Sequence, residues 1–271
     1  MHLKRWITSL LALPFVIWLI MKGGPVFAIF IACISILGLR EYFRIIFNTT
    51  GQKIFSPVSA PAFVAGPLII AASYANSFKG IAVICSVDLF IVALLAAIRF
   101  RPTDQTLTPD AISKQIQGII YIPVMLAFII FIRNSHDGAM WVFLMLLIVF
   151  AGDTGAFYVG SYFGKRKLCP FLSPGKTIEG AIGGLVACIL SGAGFKFFFF
   201  PQLLWTGSLL LFVSVGIAGP TGDIFESMLK RAGKIKDSGK ILPGHGGVLD
   251  RIDALLFAAP VTYFFKEFIL T

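Results

Sequence analysis

Apolar runs long enough to cross a lipid bilayer recur along almost the whole of this 271-residue chain. A transmembrane helix needs about 20 predominantly apolar residues. Only 13% of the residues are charged, whereas soluble domains carry about 25%. No polar stretch is long enough to form a separate soluble domain. The pattern therefore predicts an all-α polytopic membrane protein.

We place about nine transmembrane helices on the chain. They are predicted at residues 6–21, 25–47, 57–76, 80–100, 116–133, 139–163, 177–199, 203–223 and 250–270. The first is interpreted as a retained helix, because no convincing small-residue cleavage site follows it. About five spans form an N-terminal transmembrane region (1–135). The others, with their cytoplasmic loops, form a C-terminal catalytic region (136–271).

Basic residues indicate the orientation of these helices. With a cytoplasmic N-terminus, 18 of the 23 lysines and arginines fall on the cytoplasmic side. The positive-inside rule predicts such a bias, and it accounts for the net charge of +10 without nucleic-acid binding. The polar stretch 219–253 then faces the cytoplasm. We therefore expect a polar active-site cavity that opens toward the cytoplasm.

The stretch 219–253 holds five of the 13 acidic residues together with a glycine-rich segment. Asp223 and Glu226 are three residues apart, as are Asp250 and Asp253, so each pair shares a face if helical. Carboxylates can bind a hard divalent cation, and lysine and arginine can bind phosphate oxygens. The stretch therefore indicates a metal-assisted phosphate site.

Two other segments carry polar residues near the ends of predicted spans. Asp153 lies between glycines, close in sequence to a basic loop, and is interpreted as a site residue. The segment 172–180 reads LSPGKTIEG. It is similar to the end of a P-loop, but Pro170 stands where that motif needs glycine. We interpret it as a Pro-Gly turn, then Lys176, then a helix capped by Thr177, whose glycines serve close helix packing.

Three smaller features leave alternatives open. Asp88 lies inside an apolar run, so it is either functional or satisfied by a hydroxyl or amide of a neighbouring helix. Thr108-Pro109-Asp110 predicts a helix start. His245 could be a general base, a phosphate ligand or a structural donor.

Residues 227–253 resemble the signature of the phosphatidate cytidylyltransferases, also called CDP-diacylglycerol synthases. The matching positions are Ser227, Lys230, Arg231, Lys236, Asp237, Gly239, Pro243, His245, Gly246, Gly247, Asp250, Arg251 and Asp253. Two further segments, 152–156 (GDTGA) and 173–180 (SPGKTIEG), are also similar to segments of that family. The part of the chain before them matches only in having several spans.

The resemblance implies that CTP and phosphatidic acid react to give CDP-diacylglycerol and pyrophosphate in phospholipid biosynthesis. It implies catalytic roles for Asp223, Asp250, Lys176, Lys230, Arg231, His245 and Arg251. It implies substrate contacts through Ser173, Lys176, Thr177, Lys230, Arg231, Lys236, Gly246 and Gly247. The expected cofactor is Mg²⁺, held by Asp223, Asp250, Asp253, Asp153 and Glu226. A second cation, such as K⁺ or another divalent ion, would accompany it.

The same resemblance places the protein in the bacterial cytoplasmic (inner) membrane, in contact with membrane lipids, and its small-residue motifs are compatible with a homodimer. Two other functions stay open. A transporter or channel would also carry intramembrane carboxylates, but it predicts charges spread along a pathway. A polyprenol kinase that uses CTP would differ in its lipid acceptor. The CDP-alcohol phosphotransferases are excluded, because their Asp-Gly-x-x-Ala-Arg motif is absent from the sequence.

Overall fold

The computed structural model describes residues 13–49, 51–99, 108–239 and 246–270. These ranges form α-helices, one π-helical segment and one two-stranded hairpin. The helices are α1 (Leu13–Lys22), α2 (Gly24–Phe47), α3 (Ala60–Tyr74), α4 (Phe78–Arg99), α5 (Pro109–Ile119), α6 (Met125–Asn134), α7 (Gly138–Phe163), α8 (Ile178–Phe199), α9 (Trp205–Ala232) and α10 (Leu249–Phe268). The π-helical segment (Ile120–Val124) joins α5 to α6, and the strands are β1 (Lys167–Cys169) and β2 (Ser173–Thr177).

Six helical stretches in the described ranges are long and apolar enough to cross a membrane. They are α2, α4, α5 with α6, α7, α8 and α9, and each overlaps a predicted span. Helices α1 and α3 are apolar but shorter, and α10 is not among the six. The predicted fold class, a helical polytopic membrane protein, is confirmed. The β1–β2 hairpin was not predicted. The count of nine spans stays a prediction.

The chain divides into two compact units. The first unit comprises residues 1–134 and 229–251, and the second comprises residues 135–228 and 252–271. Helices α9 and α10 therefore each contribute to both units. The predicted boundary after residue 135 lies next to this division. The segment 229–251, however, packs with the N-terminal helices rather than with the rest of the C-terminal region.

Helix α3 is the centre of the first unit, where it packs against α2, α4 and α6. Buried aliphatic and aromatic side chains such as Leu39, Phe43, Ile69 and Ile122 fill the space between these helices. Between α5 and α6 the chain widens into a π-helix that contains Pro123. Proline has no N–H for the α-helical ladder, and such local irregularity accommodates it.

Asp88 and Gln115 form a buried polar pair in the first unit. Gln115 Nε2 donates to Asp88 Oδ2 at 2.6 Å, and both side chains are buried. An amide of a neighbouring helix therefore binds Asp88 Oδ2, as one of the two alternatives predicted, whereas Asp88 Oδ1 is buried without a hydrogen-bond partner among the described residues. The predicted start of α5 is also confirmed, since Thr108 Oγ1 accepts a hydrogen bond from Ala111 N at 3.2 Å.

Glycines allow α7 and α8 to pack closely in the second unit. A Cβ added at Gly180 would lie 2.8 Å from the carbonyl oxygen of Ala156. One added at Gly184 would lie 2.8 Å from the carbonyl oxygen of Gly152. Real Cβ atoms do not approach backbone oxygens this closely, so only glycine fits. The predicted packing role of the α8 glycines is confirmed.

Gly155→Ala is expected to destabilise the protein, because its Cβ would lie 2.6 Å from Ala187 Cβ and 3.0 Å from Gly183 O. Such overpacking costs about 1–3 kcal/mol. Gly194→Ala is the control, since no atom lies within 4 Å of its added Cβ. Alanine there raises the free energy of unfolding by up to about 1 kcal/mol through helix propensity. The free energies of unfolding of both variants are measured by SDS unfolding of the detergent-solubilised protein, followed by circular dichroism. Equal changes in Gly155→Ala and Gly194→Ala would contradict the close packing described for Gly155.

Candidate active site

Lys176 and Asp223 form an ion pair in the second unit. The Lys176 Nζ atom lies 2.7 Å from Asp223 Oδ2 on α9, and it also donates to the carbonyl of Pro220 at 3.3 Å. Asp153 on α7 interacts electrostatically with both members of the pair. We call Asp153, Lys176 and Asp223 the Lys176 cluster. It brings together three residues that were each predicted to belong to the site, Asp153 and Asp223 as metal ligands and Lys176 as a phosphate contact.

The hairpin of β1 and β2 positions Lys176. Its strands pair antiparallel, with Lys167 opposite Thr177. The prediction of a turn at Pro174-Gly175 is wrong, because both residues lie within β2 and the turn occupies residues 170–172. Each strand of a two-stranded sheet has one edge without a partner strand. A proline whose nitrogen lies on that edge removes no inter-strand hydrogen bond, so such a strand tolerates proline.

The start of α8 fixes the end of this hairpin. Thr177 Oγ1 accepts a hydrogen bond from Gly180 N at 3.0 Å, so the predicted helix cap is confirmed. Glu179 Oε2 accepts from the backbone N–H groups of Lys165 at 3.0 Å and Arg166 at 3.1 Å. Glu179 thus ties the basic loop after α7 to the first turn of α8. Its carboxylate orders the segment that carries Lys176.

A second ion pair lies in the first unit, between Lys230 near the end of α9 and Asp250 at the start of α10. Lys230 Nζ is 2.7 Å from Asp250 Oδ1, and both side chains are mostly buried. Asp250 Oδ2 accepts from Gly247 N at 2.8 Å, Ser238 N at 3.2 Å and Ser238 Oγ at 2.9 Å. Asp250 therefore holds the two described ends of the glycine-rich segment together.

These partners determine the charge state of Asp250. The N–H groups of Gly247 and Ser238 and the ammonium group of Lys230 all stabilise a negatively charged carboxylate at this position. A carboxylate has about four acceptor sites. Because three donors share Oδ2, the remaining capacity is on Oδ1, beside Lys230.

Glu41 is, with Ser238, one of two residues of this site that the sequence motifs did not predict. It lies on α2 and is buried, and its Oε2 atom accepts from Leu249 N at 2.8 Å and lies 3.1 Å from Ser238 Oγ, whose hydroxyl it shares with Asp250. We call Glu41, Lys230, Ser238, Gly247 and Asp250 the Lys230 cluster. A signal was present, since an acidic residue inside an apolar span is a functional candidate by default. The same signal singled out Asp88 in the sequence.

The other predicted site residues occupy several places. Glu226 on α9 is fully buried, and Gly246 has a φ of 81°, in the left-handed region that favours glycine. His245 lies outside the described residues. Ser173 lies on β2, Thr177 at the start of α8, Arg231 near the end of α9, Lys236 in the connection after it, and Arg251 and Asp253 in the first turns of α10.

The described ranges contain no group of three or more His, Cys, Asp or Glu side chains that could hold a metal ion. The five predicted metal ligands are thus not assembled into one shell within those ranges. Asp153 and Asp223 come together in the Lys176 cluster, and Asp250 belongs to the Lys230 cluster. Mg²⁺ is usually bound through one or two carboxylates plus substrate phosphates. Asp153 and Asp223 fit that requirement.

Comparison with known proteins covers nearly the whole chain. The sequence matches the model of the cytidylyltransferase family over residues 3–269. It is 32% identical over 267 residues, 96% of each chain, to a Bacillus subtilis (strain 168) protein named phosphatidate cytidylyltransferase. A protein of the same name from Staphylococcus haemolyticus (strain JCSC1435) is 31% identical over 266 residues, 95% of this chain and 96% of that one. These similarities include the N-terminal helices, where the sequence motifs gave no match.

Proposed function

The chain belongs to the cytidylyltransferase family, and we propose that it transfers the cytidylyl group of CTP to phosphatidic acid. The products are CDP-diacylglycerol, a precursor in phospholipid biosynthesis, and pyrophosphate. The main support for this proposal is the large fraction of the chain that is similar to the relatives described above. Relatives named phosphatidate cytidylyltransferase align with 95–96% of this chain, and the family model matches residues 3–269, a range that contains both clusters.

The reaction suits a site made of cations and carboxylates. A phosphate oxygen of phosphatidic acid attacks the α-phosphorus of CTP, and the bond from that phosphorus to the pyrophosphate oxygen breaks. Its electron pair leaves with pyrophosphate. Because the lipid supplies the nucleophile, the protein contributes positioning and stabilisation of negative charge rather than a covalent intermediate.

Each lysine cluster supplies an ammonium group that is already held in place. Lys230 pairs with Asp250 and Lys176 pairs with Asp223, each at 2.7 Å. A charged side chain fixed before substrate binds loses less conformational entropy on binding. We assign the Lys230 side chain and the Gly246-Gly247 backbone to the triphosphate of CTP. The remaining phosphate contacts are assigned to Lys176, Arg231, Lys236, Arg251 and His245, with Ser173 and Thr177 beside them.

Mg²⁺ is the proposed cofactor, and a second cation such as K⁺ would accompany it. Asp153 and Asp223 would hold the Mg²⁺ ion, and when bound the ion neutralises charge on the phosphates of CTP. Asp250 would reach a cation only through Oδ1, because three donors already share Oδ2. Asp253 and Glu226 are assigned to orienting these ligands.

The orientation and location are part of the proposal. The distribution of basic residues supports a cytoplasmic N-terminus and an active site that opens toward the cytoplasm, where CTP is present. The bacterial relatives support a location in the cytoplasmic membrane. A homodimer is also proposed, since small residues on helix faces permit close contact between copies.

The test is turnover by the purified protein in detergent–lipid micelles with CTP, Mg²⁺ and phosphatidic acid. Pyrophosphate and CDP-lipid are both measured, and undecaprenol is supplied as an alternative acceptor in parallel. We expect CDP-diacylglycerol and pyrophosphate in equal amounts. Phosphorylation of the polyprenol instead would overturn the proposed substrate. No consumption of CTP under any of these conditions would overturn the proposed reaction.

A further inference from the structure

Glu41 is a buried acidic residue on α2, a helix long and apolar enough to cross a membrane. Only 2% of its surface is exposed. A buried carboxylate is costly unless it receives hydrogen bonds, so its partners indicate what it does. Both residues in hydrogen-bond contact with its Oε2 atom, Ser238 and Leu249, belong to the segment that resembles the family signature.

The two partners lie on either side of the glycine-rich loop. The Ser238 hydroxyl lies within hydrogen-bond distance of Glu41 Oε2, at 3.1 Å, and Leu249 donates its backbone N–H to the same atom at 2.8 Å. Residues 240–245, which lie between them in the chain, are outside the described ranges. One carboxylate from the N-terminal half of the chain thus binds the chain before and after this loop.

The contact between Glu41 and the loop is tight. A Cβ added at Gly239 or at Gly247 would collide with the Glu41 carboxylate. Glycine at both positions therefore lets the backbone approach the acid directly. The arrangement requires the two glycines and Glu41 together.

Ser238 couples Glu41 to Asp250. Its hydroxyl lies 3.1 Å from Glu41 Oε2 and 2.9 Å from Asp250 Oδ2, and it has only one hydrogen to donate. Asp250 in turn pairs with Lys230 at 2.7 Å. A change at Glu41 therefore alters the hydrogen bonding of Asp250, and through it the position of the Lys230 ammonium group.

The geometry points to Glu41 as a positioning residue for CTP binding. It anchors Ser238 and Leu249, next to Gly246-Gly247, and, through Ser238, orients the Asp250–Lys230 pair. This inference rests on the proposed function, in which the Gly246-Gly247 backbone and Lys230 bind the triphosphate. Glu41 itself contacts neither substrate. Substitution of Glu41 is therefore expected to weaken CTP binding and to leave phosphatidic acid binding unchanged.

Glu41→Gln and Asp88→Asn are a matched pair of variants. Each replaces a buried carboxylate of the first unit with an amide of the same shape, but Asp88 binds Gln115 and not the loop. We expect Glu41→Gln to raise the KM for CTP by about 10-fold or more, the usual consequence of weakening hydrogen bonds to a charged group. The KM for phosphatidic acid should stay within about two-fold of wild type. Asp88→Asn should leave both within that range.

Hydrogen–deuterium exchange supplies a readout that does not depend on activity. The peptide that contains Gly247 and Leu249 should exchange at least about 10-fold faster in Glu41→Gln and in Glu41→Ala, because the acceptor for Leu249 N–H is weakened or lost. Asp88→Asn should not change it. The double variant with Ser238→Ala should show less than the sum of the two single effects on CTP binding.

The outcomes separate this inference from the proposed function. Unchanged exchange, or an equal fall in kcat/KM for both substrates, would overturn the positioning role. A wild-type protein that consumes no CTP would overturn the proposed function and the link to CTP. Hydrogen–deuterium exchange would then still show whether Glu41 anchors the backbone at Gly247 and Leu249.

Discussion

Asp223→Asn is expected to lower the turnover number for CDP-diacylglycerol formation by about 1000-fold, near the upper end of the effect of removing one charge-stabilising group. The carboxylate pairs with Lys176 at 2.7 Å, and Asp153 interacts with both residues. Asparagine keeps the shape but loses the negative charge. It therefore weakens the hold on Lys176 and leaves Asp153 alone to bind the proposed Mg²⁺ ion.

The measurement is the initial rate at saturating CTP and phosphatidic acid over a series of Mg²⁺ concentrations. We expect the variant to need more Mg²⁺ for half-maximal activity as well as having a lower maximum. Retention of more than a tenth of wild-type turnover would contradict the catalytic assignment. An unchanged Mg²⁺ requirement would remove Asp223 from the proposed metal site.

Asp110→Asn is the control for this experiment. Asp110 pairs with Lys114 at the same 2.7 Å, but the side chain of Asp110 is 71% exposed. Exposed pairs of this kind contribute only about 0.2–1 kcal/mol, because water screens the charges. Turnover should therefore stay close to wild type. The comparison separates loss of an ion pair in general from loss of the pair in the Lys176 cluster.

Gly247→Ala is expected to lower kcat/KM for CTP by about 100-fold, because a misplacement of about 1 Å in a site can have that effect. The added Cβ would collide with Ser238 Oγ and Glu41 Oε2, and it would lie 2.6 Å from Gly239 N. Relief of the collision must move the loop away from Glu41. The Gly247 N–H would then leave Asp250, to which it donates at 2.8 Å.

The test measures kcat and KM for each substrate, with thermal unfolding in detergent to verify that the variant is folded. Gly194→Ala serves again as the control, because its added Cβ meets no atom within 4 Å. A Gly247→Ala protein that is folded and binds CTP as wild type does would contradict the described contact with Glu41 and Ser238.

Features encoded by neighbouring residues were predictable from the sequence. Thr108 and Thr177 cap helices at the expected positions, because a cap depends on residues three apart. The glycines of α8 were likewise assigned to packing from their spacing alone. Six of the nine predicted spans overlap helical stretches that are long and apolar enough to cross a membrane. Each of these features depends on residues that are close together in the sequence.

Features that depend on distant residues were not predictable in this way. Glu41 meets Ser238 and Leu249 across 197 and 208 residues, and nothing in the α2 sequence specifies those partners. Asp223 and Glu226 were both predicted to be metal ligands, yet tertiary packing buries Glu226 completely and leaves Asp223 partly exposed. The β1–β2 hairpin was missed because Pro174-Gly175 is usually a turn signal.

The long separation between Glu41 and its partners has a consequence for biosynthesis. A ribosome adds about 5–20 residues per second, so Ser238 and Leu249 emerge tens of seconds after α2 has been made. During that interval the first unit lacks residues 229–251, and Glu41 lies in a nascent membrane helix without either hydrogen-bond donor. The N-terminal helices therefore cannot reach their final packing until nearly the whole chain has left the ribosome. Truncation before α10 is expected to leave them as a substrate for membrane quality-control proteases.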